Sequence, residues 1–401
     1  MNQSLVKAYL DGCQILFRLA PRFKLNQRIV EDHLHIKQKD AHVFRGYYDI
    51  DYFDDERIKY LVHVLPRTSK HKDKIQLGYY SLKDKNLVIF DSSSAWCWQQ
   101  GSRLRWYDTK HVIFNDARDN DYISRIVDVS SKKTTNVISR ALYDIDANRG
   151  IGLSLNFSRL QRLRPGYGYS AFDDSTVGRV SLDDDGIFKC DLNNNKTKLL
   201  LSLEKLKGVS DCDLTGEDYV NHICFSPSGN RFIFFYIVTE PGKRNTVHLM
   251  VSDIDGVNVK VLEKEVQTSH YTWLDDTHLL TTYIDFKNKA KQGYRLYDVE
   301  KGGFSQFGAE SLILDGHPTF FAPRKIITDT YPQKNRFNNQ YLLIYDEEKQ
   351  EKRQVGRFYH DAHFVGEQRC DLHPSLSEDY ISVDTSCDGL RSVFLMKVKI
   401  D

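Results

Sequence analysis

The sequence predicts an all-β fold, a seven-bladed β-propeller with a short N-terminal helical extension. Three observations point there. Hairpin-like units recur about every 50 residues. Aromatic residues are abundant, 23 Tyr and 22 Phe among 401 residues, as many short, half-buried strands require. Helical periodicity is scarce after residue 30. Seven four-stranded units account for residues 31–401 as one domain, behind an extension at 1–30.

The units read YYDIDYFDDERIKYLVHV, QGSRLRWYDTKHVIFND, GIGLSLNFSRLQRL, NHICFSPSGNRFIFFYI, SHYTWLDDTHLLTTYI, GHPTFFAPRKIITDTY and LHPSLSEDYISVDT. Each sets an apolar strand before a turn rich in Asp, Ser, Pro or Gly, with a second strand after it. The third lacks a clear turn. Aligned on one aromatic or apolar anchor, they place Phe53, Trp106, Phe157, Phe225, Trp273, Phe320 and Leu376 at intervals of 47 to 68 residues. The longest interval follows the third anchor and implies an insertion there, so six or eight blades also remain compatible with the pattern.

Before the first unit, residues 1–30 carry Leu5, Val6, Tyr9, Leu10, Ile15, Leu16, Phe17 and Leu19 interrupted by Asp11 and Arg18. An amphipathic helix packed on the domain is expected rather than a signal peptide. Peripheral contact with a membrane or partner is the alternative use of such a helix. The chain has no run of roughly 18 apolar residues, so no transmembrane segment is expected. Lys+Arg (56) and Asp+Glu (55) nearly cancel, which argues against nucleic acid as a partner. Seven cysteines form no CxxC pair; reduced thiols and a cytoplasmic location are expected.

The residues three places before the anchors are Ile50, Arg103, Ser154, His222, His270, His317 and His373. With 14 histidines in 401 residues, four consecutive units sharing one at the same register is far from chance. The innermost strands of a propeller line its axis, so equivalent positions converge there. Neutral imidazole is a common metal ligand and the side chain best suited to proton transfer near neutral pH. A clustered set of four therefore points to a metal or a catalytic centre.

The last blades also carry Gln368-Arg369-Cys370-Asp371-Leu372-His373-Pro374, His317-Pro318, Ser269-His270 and, upstream, Arg244. In these motifs the chain resembles the oligogalacturonate-lyase family of propeller polysaccharide lyases and related surface-glycan propellers. The resemblance spans about residues 40 to 395 by repeat architecture, and its motifs lie in the last four blades. It implies His317, Gln368 and His373 as metal ligands, His270 as the proton-abstracting base and Arg244 as the charge-stabilising group. The departure is Asp371, where the family carries histidine. A mixed oxygen and nitrogen set still suits Mn²⁺, the expected divalent ion, with Zn²⁺ and Ca²⁺ as alternatives. The expected ligands are then His317, Gln368, Asp371 and His373.

The implied activity is a β-eliminative lyase acting on uronic-acid-containing oligo- or polysaccharide. Cleavage begins by removing the weakly acidic proton beside the carboxylate, which a bound cation and a nearby guanidinium make easier. His222, Tyr48, Arg103, Arg164, Tyr167 and Tyr169 are candidate substrate contacts: aromatic faces for sugar rings and cations for carboxylates. Trp96, Trp98 and Trp106 read as core, with Gln99 and Gln100 facing the channel. Asp329-Thr330-Tyr331-Pro332 reads as a turn, and the HxxH of His360 and His363 as a surface turn. Two other functions fit the same residues. One is a non-catalytic glycan-binding or scaffold propeller in surface-polysaccharide biosynthesis; the other is a uronate epimerase, which starts with the same proton abstraction. No nucleotide-binding or nucleophile-elbow motif is present.

Overall fold

A computed structural model describes residues 12, 27–29, 32–69, 73–213, 215–333, 338–378 and 380–397. Seven antiparallel sheets succeed one another along the chain as blades. The four strands of blade four show the pattern: Glu217–Phe225, Arg231–Thr239, Thr246–Asp253 and Lys260–Glu263. Its second strand, RFIFFYIVT, is buried along nearly its whole length. A strand covered by a neighbouring blade on each face has no polar side to alternate with, so it reads as one apolar run. Each fully buried Phe or Ile there contributes roughly 1.5–3 kcal/mol relative to exposure.

Blade seven closes the ring. Its inner three strands, Ser375–Ser377, Tyr380–Thr385 and Ser392–Lys397, come from the C-terminal end of the chain. The outer strand is His33–Ile36, paired antiparallel with Ser392–Lys397. Of the N-terminal extension, residue 12 and residues 27–29 are described. Gln27–Ile29 is strand, not helix, and adds a fifth strand to blade six beside Glu351–Tyr359. The rest of the expected helix lies outside the described residues. No helix among the described residues is long and apolar enough to cross a membrane.

Six anchors hold equivalent places opposite the second strand of their blades: Phe53↔Tyr60, Trp106↔Val112, Phe225↔Phe232, Trp273↔Leu279, Phe320↔Ile326 and Leu376↔Ile381. Blade three departs from the expected register. Its inner strand is Asp144–Asp146, and Ser154 belongs to the second strand, opposite Phe188. Phe157 opens helix α1, Phe157–Leu163, instead of a turn. The local cause is Asn156, whose side chain accepts from Arg159 N at 3.0 Å and so caps the first helical turn.

In blade one the chain leaves the inner strand after Phe44 and rejoins it at the Phe53–Tyr60 bridge. The intervening excursion drives Tyr47 and Tyr48 into the axis. The Tyr47 ring packs against His222, His317 and His373 of three different blades. Gly46 makes the bend at φ +126°, where a Cβ would come within 2.9 Å of the Gln100 carbonyl oxygen. Arg45, fully buried, anchors the excursion on the carbonyls of Leu372 and His373 and on Asp384.

Candidate functional site

The four histidines converge as the repeat requires. Two of their inner strands are kinked where the histidines sit. The ladder shifts register between Asn221 and Cys224 in blade four, and between Thr268 and Tyr271 in blade five. Such bulges re-aim a side chain. Arg103, His222 and His373 further share a left-handed backbone, with φ of 55°, 54° and 47°. This backbone is uncommon for residues other than glycine and is found at sites that over-determine it.

His317 and His373 are each oriented through Nδ1. His373 Nδ1 lies 3.1 Å from the Gly46 carbonyl, which can only accept, so the proton is on Nδ1. His317 Nδ1 lies 2.9 and 3.0 Å from the two Asp329 oxygens. In both rings Nε2 is buried and has no hydrogen-bond partner among the described residues. Asp371 brings a carboxylate oxygen 3.9 Å from His373 Nε2. Ligand atoms of His317, Asp371 and His373 all lie within 4.8 Å of one another.

A divalent cation fits this set. Two buried imidazole nitrogens left without partners are lone pairs awaiting an acceptor of electrons. The carbonyl and carboxylate behind them supply the orienting hydrogen bonds that metal-ligating histidines usually have. Of three buried carboxylates, Asp371 pairs with the Arg369 guanidinium, whereas Asp315 and Asp329 have imidazoles, His270 and His317, as their partners. Burial would lower the pKa of His317, but Asp329 and Asp371 outweigh it and raise it. Burial also works against the Asp371 carboxylate, yet Arg369 holds its pKa well below the usual range.

His270 stands beside this trio, its ring centroid 4.0 Å from that of His317. Its Nδ1 is 3.0 Å from Asp315 and its Nε2 is 3.3 Å from the Tyr331 hydroxyl. Burial lowers its pKa, His317 adds to this, and Asp315 offsets part of it. His270 is therefore a neutral imidazole oriented by a carboxylate, and it lines a cleft of about 190 Å³. Arg164, Tyr167, His222, Arg244 and Tyr331 also line that cleft. Arg164 and Arg244 are exposed and have no carboxylate partner among the described residues; their guanidiniums stack on Tyr167 and Phe286.

Other expected site residues go elsewhere. Gln368 ends the short 3₁₀ turn Gly366–Gln368 and is exposed, while Arg369 grips Asp371 at 2.6 Å. Tyr48 is sealed in the axis, its hydroxyl bonded to the backbone of Tyr271 in both directions. Arg103 is buried in a two-pronged ion pair with Asp49. Tyr169 stacks on Phe157 and bonds Asn115 in the core. The HxxH pair is no simple surface turn: His360 is buried and accepts from Cys370 N. Asp315, Asp329 and Tyr331 act on histidines of other blades or other strands, contacts that no local motif marks. Asp315 sits two residues from His317 yet bonds His270, and no sequence signal marks that.

No family model and no curated protein sequence matches the chain. Solved structures do. Oligogalacturonate lyase from Vibrio parahaemolyticus is 11% identical, with 94% of this chain and 97% of that one covered and a TM-score of 0.64. An oligogalacturonate lyase in complex with manganese is 11% identical, with 93% and 98% covered and a TM-score of 0.66. The tricorn protease is also similar, at 11% identity and a TM-score of 0.53, with 92% of this chain covered but 34% of the protease. At such identities the likeness establishes the fold, a seven-bladed β-propeller resembling oligogalacturonate lyase.

Proposed function

We propose that the protein is a metal-dependent enzyme acting on uronic-acid-containing oligo- or polysaccharide, a β-eliminative lyase with His270 as base and Arg244 as charge stabiliser. The observation that carries this is a pairing. The buried, partnerless Nε2 atoms of His317 and His373 belong to a histidine cluster that His270 joins through its ring contact with His317. The neutral, carboxylate-oriented His270 itself lines a cleft with two arginines that hold no carboxylate among the described residues. His317, Asp371 and His373 would hold the ion, Mn²⁺ by preference. When bound, it supplies Lewis-acid stabilisation of negative charge at the substrate carboxylate.

The chain's own groups do the rest. Arg164 and Arg244 hold substrate carboxylates at the cleft. His270 Nε2 takes the proton from the carbon beside the carboxylate, with Asp315 holding Nδ1–H so that Nε2 keeps its lone pair. The released electron pair forms the carbon–carbon double bond as the bond to the leaving sugar oxygen breaks. That oxygen takes a proton in the cleft, where the Tyr331 hydroxyl is at hand.

Incubation with a panel of oligouronides, followed by ultraviolet absorbance, tests the proposal, because an unsaturated uronate absorbs where the substrate does not. Binding without such a product, in protein shown to contain the metal, would leave a glycan-binding propeller. The clamp of Arg369 on Asp371 favours that second function, since it ties up the one carboxylate of the trio.

A further inference from the structure

A second cleft, about 360 Å³, opens between blades two and three. It lies on the same face as the axial cleft. The Asp119–Asn120 turn beside it and the loop carrying Arg244 both join the second and third strands of their blades. Asp121, Tyr122, Arg140, Ser158, Phe172 and Asp173 line it.

Arg140 is out of keeping with its peers. Arg105, Arg125 and Arg162, all partly buried, each hold a carboxylate at 2.9 Å or less. The half-buried Arg140 stacks on Phe188 and bonds Ser154 Oγ through Nε, with no carboxylate at ion-pair distance among the described residues. Among the described residues its outer nitrogens have no hydrogen-bond partner. Burial lowers its pKa and outweighs the attraction of Cys190, Asp185 and Asp121, whereas at Arg103 and Arg369 burial is outweighed by a carboxylate partner and the pKa rises. The half-buried rings of Tyr122 and Phe172, with centroids 4.9 Å apart, offer apolar faces to a sugar. Asp121 and Asp173 at the rim are exposed acceptors for hydroxyls.

Helix α1 links the two clefts. Phe157 and Ser158 at its start line this one, and Arg164 just past its end lines the axial one. Ser158 and Arg164 are about 9 Å apart along a helix axis. We propose that this cleft is a second acidic-glycan site, in which Arg140 takes a uronate carboxylate from a chain already seated in the axial cleft. The choice of ligand rests on the acidic-glycan function proposed above.

Titration calorimetry of the His270→Ala chain with galacturonate oligomers of two and of six units tests it. The hexamer is expected to bind at least about tenfold more tightly than the dimer, as two linked contacts allow. Arg140→Gln on the same background should remove that advantage and leave dimer affinity unchanged, and Arg140→Lys should restore part of it. A hexamer advantage that survives Arg140→Gln, or a methyl-esterified hexamer that binds as tightly as the acid, overturns the proposal. Dimer turnover by the wild-type chain reads the axial site separately: no product, with the Arg140 effect intact, removes the lyase and keeps the second glycan site.

Discussion

Asp329 and His317 are joined twice: one carboxylate oxygen accepts from the His317 backbone N–H at 2.8 Å and lies 2.9 Å from its Nδ1. The other oxygen accepts from the backbone N–H of His373 in the next blade. One acid thus sets the direction of the His317 imidazole and fixes the backbone of His373 in the next blade. Asp329→Asn should lower divalent-metal affinity by roughly 10–100-fold, and His317→Ala should abolish metal binding and activity together. Metal content after dialysis into Mn²⁺ buffer checks both; full retention in His317→Ala removes the metal centre.

His270 divides metal from chemistry. His270→Ala should keep the metal and lose ~10²- to 10⁴-fold in turnover. Asp315→Asn, which leaves the ring but not its orienting charge, should fall in between. Loss of metal from His270→Ala would instead make this residue a ligand.

Arg244 has no carboxylate partner among the described residues, so its removal should cost binding of acidic ligands and little stability. Arg244→Ala is expected to lower kcat/KM by at least about tenfold while the thermal midpoint barely moves. A large fall in the midpoint with unchanged kinetics contradicts the assignment. Isomerised product without ultraviolet absorbance would mark an epimerase.

Stability should fall in mild acid. Burial lowers the pKa of His63 and of His360 to about 4, against about 6.5 unfolded. Between these values the unfolded chain binds protons that the folded chain refuses. The stabilisation is complete above about pH 6.5 and is lost as pH falls toward 4, on the order of 3 kcal/mol for each histidine. Denaturant midpoints measured from about pH 7.5 down to about 4.5 should therefore decline; a flat profile contradicts the neutral burial of these rings.

Gly46 should tolerate no side chain. Its φ is +126°, and a methyl group on its Cα would stand 2.9 Å from the Gln100 carbonyl oxygen and 3.0 Å from the Tyr52 hydroxyl. Gly46→Ala is therefore expected to cost about 2 kcal/mol or more. Equilibrium unfolding checks it, and a variant as stable as wild type would mean that the Tyr47–Tyr48 excursion is not rigidly held.

The seven-bladed architecture was legible because each blade must repeat one apolar strand, one turn and a second strand, and the anchors of every blade but the third hold equivalent places. The histidine cluster was legible for the same reason, since equivalent positions in a closed ring share an axis. Blade three was not. A helix cap at Asn156 outweighed the strand pattern, and a shifted register carries every side chain to another place. The partners of the histidines were also hidden, because Asp315 serves His270 from the next blade and Asp329 serves two blades at once. Gln368 and Asp371 are near neighbours in sequence, yet a single 3₁₀ turn leaves one in solvent and the other buried against Arg369. Local sequence determined the period and the residue types at the axis. Contacts between blades, which bring together groups distant in the chain, decided which of them share protons, charge and an open cleft.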